Sequence, residues 1–172
     1  MIAALPTWET VAEAPESVIE EAIRRGGLSR LKAARIKSVL GEVRQREGQL
    51  TLERLRQRPL DEVLAYLMSL SGVGPKTAAC VALFSLDLPA FPVDTHVRRI
   101  AARLDLIPPG ADLVAAHRLL ADVVVPARRY ALHVHLIELG REICRAGRPR
   151  CEVCPLADVC AYRQTTVLTT RK

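Results

Sequence analysis

A lysine, an aspartate and a run of cysteines stand at positions from which they could do chemistry. Lys76 follows the turn Gly72-Val73-Gly74, and Asp94 comes 18 residues later. Cys144, Cys151, Cys154 and Cys160 form a C-x6-C-x2-C-x5-C pattern near the end of the chain. A neutral lysine amine can form a Schiff base, and the positive end of a helix dipole disfavours the competing ammonium form. A carboxylate can stabilise positive charge as it develops, or move a proton. Each residue also has a plainer use. Lys76 could be an exposed helix-start lysine touching phosphate, and Asp94 could be the N-cap of a helix opening at Thr95. Four thiols within 17 residues call for a metal centre, and the spacing alone leaves both zinc and iron–sulfur open.

The glycine turn bears on a partner. Residues 60–86 read as an amphipathic helix, a glycine hairpin and a second helix. Glycines on either side of Val73 admit backbone angles that other residues resist, and Val73 is expected to anchor the turn in the core. The amides of Gly72, Val73, Gly74 and Thr77, beside a helix N-terminus, suit a phosphate oxygen. A GVG turn also serves as an ordinary joint between helices.

The pattern L-x-G-V-G-x-K-T-A followed by P-V-D-T-H-V-x-R resembles the endonuclease III family of helix-hairpin-helix glycosylases. It is carried by Leu70, Gly72, Val73, Gly74, Lys76, Thr77 and Ala78, then by Pro92 through Val97 and Arg99. The resemblance runs from about Pro6 to Cys160, with Ser71 where the family has proline. It implies that Lys76 is the lyase lysine, that Asp94 is the catalytic aspartate, and that the four cysteines hold a [4Fe–4S] cluster organising their loop. Arg145, Arg148 and Arg150 crowd that loop, which lies near the DNA backbone in the family, so Arg148 and Arg150 are candidate phosphate contacts. A solvated basic loop is the plainer account. His96 is left unassigned, and Cys80 reads as a small buried hydrophobe.

The implied activity is that of a bifunctional DNA glycosylase and AP lyase acting on oxidised pyrimidines. The stretch AFPVDTHVRRIAARL also resembles plant glycosylases for 5-methylcytosine, so another modified pyrimidine is an alternative. A DNA-binding protein that kept the hairpin and cluster but lost catalysis is the rival from another class. Family members carry an upstream helix, and a glutamine that fills the gap left by the flipped nucleotide. Neither precedes Pro6, so the reading expects a truncated product or another gap-filling residue.

These residues must be carried by helices. Alanine, leucine, valine and arginine dominate, aromatics make up 3%, and no strand pattern emerges. Helices are expected from Pro15 to about Arg25, from a Ser29 cap to Gly48, briefly from Thr51, and from an Asp61 cap. Others are expected from Pro75 to about Leu86, near Thr95, near Asp112, and from Pro126 to Cys144. The expected fold is all-α and two-lobed, with a helix-hairpin-helix lobe over 1–110, a cluster lobe over 111–172 and a DNA cleft between them. Charge is uneven. Residues 1–20 hold four Glu and no Lys or Arg, while residues 21–60 hold eleven basic and four acidic side chains. The last 32 residues hold seven basic and three acidic ones, which suits a polyanionic partner. The start lacks a basic n-region, and no apolar run nears the ~20 residues that span a bilayer. The expectation is a cytoplasmic, non-membrane monomer working on duplex DNA that holds a damaged base or abasic site.

Overall fold

The computed structural model describes residues 5–170, with side chains through 165. Helices are α1 Trp8–Glu13, α2 Glu16–Ile23, α3 Ser29–Glu47, α4 Leu60–Met68 and α5 Pro75–Phe84. They continue as α6 Thr95–Arg103, α7 Leu113–Val123, α8 Arg129–Glu142 and α9 Ala161–Thr170. The described residues contain no strand, as the composition predicts. Contacts divide the chain into residues 1–74 and residues 75–172.

In the first unit, α1 and α2 pack on α3 around Leu5, Val11, Ile19 and Ala33. Two expected caps are replaced. Ser29 is the first residue of α3 rather than its cap, because Leu28 turns the chain in a left-handed conformation with φ 51°. Asp61 lies inside α4, whose entry is set by Pro59 with its fixed φ. Gly48 ends α3 in the left-handed conformation, as expected. The short helix expected from Thr51 is a 3₁₀ turn over Glu53–Gln57. The sequence reading missed α1, whose Thr7 and Thr10 cap each other reciprocally, and it also missed α9.

In the second unit, α6 is amphipathic. Val97, Ile100 and Ala101 fall at helical spacing and are buried. They pack with Leu120 of α7 and Leu136 of α8 in one core. Gly140 lets α8 press directly on α6, since a Cβ there would stand 2.7 Å from the His96 Cβ. The helix expected to run from Pro126 to Cys144 begins as a 3₁₀ turn over Pro126–Arg128 and ends at Glu142.

Candidate active site and cluster loop

The hairpin residues lie in the first unit. Gly72 has φ +75°, the left-handed conformation that favours glycine, and an added Cβ would crowd the exposed Arg35 side chain at 3.2 Å. Gly74 differs from expectation. It is not left-handed, and a Cβ on it would meet nothing, which leaves that side of the backbone open. Val73 is only half-buried and does not anchor a core; its N–H donates to the Leu70 carbonyl at 3.1 Å. Ser71 replaces the family's proline with a purpose. Its N–H donates to Glu42 Oε1 at 3.1 Å, a bond that proline cannot make.

Lys76 and Thr77 sit exposed in the first turn of α5. Asp94 is the N-cap of α6: its Oδ1 accepts from the Val97 N–H at 2.8 Å, while Oδ2 takes no hydrogen bond from the described residues. The cap reading therefore holds and leaves one carboxylate oxygen available. Cys80 lies one turn beyond Lys76, half-buried rather than fully buried. Burial pushes its thiol up, the Lys76 charge opposes that rise and the Asp94 charge adds to it. Burial likewise pushes the His133 imidazole down, and the charges of Asp94 and Lys76 reach it as well. The predicted lysine and aspartate thus act on the same two neighbours.

His133 was not foreseen. It is 5% exposed, and its Nδ1 lies 2.9 Å from the Pro92 carbonyl oxygen. Neither was His117 of α7, whose Nε2 accepts from the Val93 N–H at 3.0 Å. No local pattern marks these contacts, which join residues 41 and 24 positions apart. His96 makes a 3.0 Å contact between Nδ1 and Arg99 Nη2.

The four pattern cysteines are free thiols and half-buried. Burial pushes the Cys151 thiol up, and so do its three partners, whose charges all reach it. Among the described residues no group of three or more His, Cys, Asp or Glu is gathered closely enough for one bare ion. Four thiols in one short loop, none in a disulfide, are the donor set that a [4Fe–4S] cluster takes, so the residues fit that group by their chemistry. Arg103 anchors the loop. It donates to Cys144 Sγ at 3.1 Å, to the Arg145 carbonyl at 2.8 Å and to the Ala146 carbonyl at 3.0 Å. Its guanidinium carbon lies 4.6 Å from the centre of the Tyr162 ring. Arg99 ties α6 to the end of α8 through the carbonyls of Gly140 and Cys144. Arg145, Arg148 and Arg150 are exposed, and their side chains have no hydrogen-bond or ion-pair partner among the described residues.

Another feature outside the sequence reading is Leu28. It is 75% exposed in its left-handed turn, with Arg24, Arg25 and Arg30 close by in sequence. Among the described residues, no helix is long and apolar enough to cross a membrane.

Residues 1–124 match the family model described as HhH-GPD superfamily base excision DNA repair protein. Residues 144–160 match the iron–sulfur binding domain of endonuclease III. The chain is similar to the transcriptional activator DEMETER of Arabidopsis thaliana, at 35% identity over 90% of this chain and 9% of that protein. It is also similar to endonuclease III of Sulfolobus acidocaldarius, at 28% identity over 91% of this chain and 67% of that protein. A solved non-covalent complex of endonuclease III with DNA superposes with a TM-score of 0.79 at 29% identity, covering 99% of this chain and 74% of that one. The chain thus spans about a tenth of the plant relative.

Proposed function

Because the chain belongs to the HhH-GPD superfamily of base excision DNA repair proteins, we propose that it is a bifunctional glycosylase and AP lyase for oxidised pyrimidines in duplex DNA. It carries a [4Fe–4S] cluster in the loop over residues 144–160. In this proposal residues 1–110 make up the hairpin region and residues 111–172 the cluster region, a functional division that differs from the packing, in which α6 shares a core with α7 and α8. The protein works as a monomer.

One arrangement carries the proposal: Asp94 caps α6 through Oδ1 alone, leaving Oδ2 available, while Lys76 stands exposed in the first turn of α5 in the same unit. Once neutral, the Lys76 amine attacks the sugar C1′. The bond from C1′ to the base breaks, and the base leaves with the electron pair. The free Asp94 oxygen stabilises the positive charge growing at C1′ and takes part in moving the lysine's proton. The nitrogen lone pair then opens the sugar ring, breaking the C1′–O4′ bond as O4′ takes the electron pair and a proton. The Schiff base so formed acidifies the adjacent sugar carbon, and loss of that proton expels the 3′ oxygen and cuts the strand by β-elimination.

The remaining residues bind and shape the duplex. Gly72 and Gly74 offer their amides to a phosphate, the Val73 N–H being taken by the Leu70 carbonyl; Thr77 stands exposed in the first turn of α5, and Arg148 and Arg150 contact other phosphates. Leu28 is an exposed apolar side chain in a basic setting, which suits a wedge pushed between bases as the target is turned out. Cys144, Cys151, Cys154 and Cys160 hold the cluster, whose contribution when bound is to order this loop.

Borohydride trapping on a duplex with one abasic site tests the assignment. The parent should give a covalent adduct, and Lys76→Ala should give none while still binding the duplex. Adducts from Lys76→Ala would place the nucleophile elsewhere. The 35% identity to DEMETER favours a second reading, a glycosylase for another modified pyrimidine. Duplexes carrying thymine glycol and 5-methylcytosine, compared side by side, separate the two.

A further inference from the structure

The residue before Asp94 is held in an unusual way. Pro92 and Val93 are fully buried, so the carbonyl and N–H of the peptide bond joining them are shut off from water and need partners. Each finds a histidine. His133 of α8 faces the carbonyl at 2.9 Å, and His117 of α7 takes the N–H at 3.0 Å.

The neighbouring contacts fix both tautomers. His117 Nδ1 lies 2.7 Å from the Leu113 carbonyl oxygen, which can only accept, so the ring proton sits on Nδ1 and Nε2 offers its lone pair to Val93. His133 Nδ1 faces another carbonyl and must also carry the proton. Two rings on different helices, one donating and one accepting, therefore grip opposite edges of one peptide plane, one residue ahead of the proposed catalytic carboxylate.

We propose that His117 and His133 are positioning residues for Asp94, which set its carboxylate at the mouth of α6 by clamping the Pro92–Val93 peptide. The inference rests on Asp94 acting as described above. A shift of that plane would rotate the backbone entering Asp94 and move its free oxygen. The signature of such a shift is therefore a slower chemical step at unchanged DNA affinity. His117 is the cleaner probe, because the His133 ring also packs on Phe84 at the end of the Lys76 helix, 5.6 Å between ring centres.

The test uses the full chain with its cluster. The rate of single-turnover borohydride trapping on a duplex with one abasic site is measured beside the Kd for that duplex. His117→Phe keeps a ring and deletes the acceptor; trapping should slow ~10-fold or more with Kd held within about twofold. His117→Gln offers Oε1 in place of Nε2 and should recover most of the rate. His133→Asn, which keeps a donor at the Nδ1 position, should likewise outperform His133→Phe. Parental rates in both phenylalanine variants beside a slow Asp94→Asn overturn the clamp and leave Asp94 standing. A glutamine variant as slow as His117→Phe overturns the acceptor role. A parental rate in Asp94→Asn removes the catalytic reading and the clamp with it. If a phenylalanine variant does not fold, nitrogen-15 shifts of the parent decide: protons on Nδ1 of both rings support the clamp, and one on His117 Nε2 overturns it.

Discussion

Arg103 donates to the sulfur of Cys144 from 3.1 Å, while Cys160 Sγ lies 3.5 Å from the Arg103 carbonyl oxygen. One residue of α6 therefore meets both the first and the last cysteine of the pattern. A charged donor on a thiolate is stronger than a neutral one, and the guanidinium fork also serves two loop carbonyls. Arg103→Met should speed loss of the broad ~400 nm cluster absorption in the presence of a chelator by ~5-fold or more, with Arg103→Lys in between because an ammonium lacks the fork. Identical decay in all three proteins would mean that the contact does not protect the cluster.

Asp94 does two things, and two substitutions separate them. Asn caps helices about as well as Asp, so Asp94→Asn should keep the melting temperature yet slow the reaction by ~10²-fold. Asp94→Ala should lose both, with about 1 kcal/mol of stability gone with the cap. Equal activity in Asp94→Asn and the parent would reduce Asp94 to a cap.

Glu47 carries a pH prediction. Its carboxylate is 4% exposed, and the Arg54 guanidinium holds it well below the usual range, at about 2, with the Tyr66 hydroxyl assisting from 2.5 Å. A lowered folded pKa stabilises above the unfolded value of 4.5 and loses that contribution as pH falls toward 2. Denaturant midpoints should drop across that window, and Glu47→Gln should flatten the drop. The Tyr66 phenol, pushed up to about 12 by burial and by Glu47, predicts the opposite slope. Its stabilisation is complete below pH 10 and fades as pH climbs toward 12, and Tyr66→Phe should abolish that alkaline loss.

Leu28 is tested through DNA shape. Leu28→Ala removes a mostly exposed side chain, so folding should change by less than about 1 kcal/mol. Energy transfer between dyes on the two duplex ends should show less kinking than with the parent, and trapping should slow. An unchanged bend would assign the wedge to another residue.

Much of this was legible along the chain because it is local. Asp94 and Asp112 cap the helices that follow them, and Gly48 stops α3, through contacts within four residues. The cysteine pattern is equally self-contained. Caps were misread where a neighbour had already set the backbone, as Leu28 does for Ser29 and Pro59 for Asp61. The capping box of α1 hid because Thr10 stands where Glu or Gln is usual. His117, His133 and the pairing of Glu47 with Tyr66 depend on helices meeting far along the chain, and no spacing rule reports that.

The left-handed turn at Leu28 sets backbone strain against the proposed wedge. A branched residue at φ 51° costs about 1 to 2 kcal/mol that glycine would not incur. Glycine or asparagine at this position should therefore raise the melting temperature while removing the apolar tip proposed as the wedge.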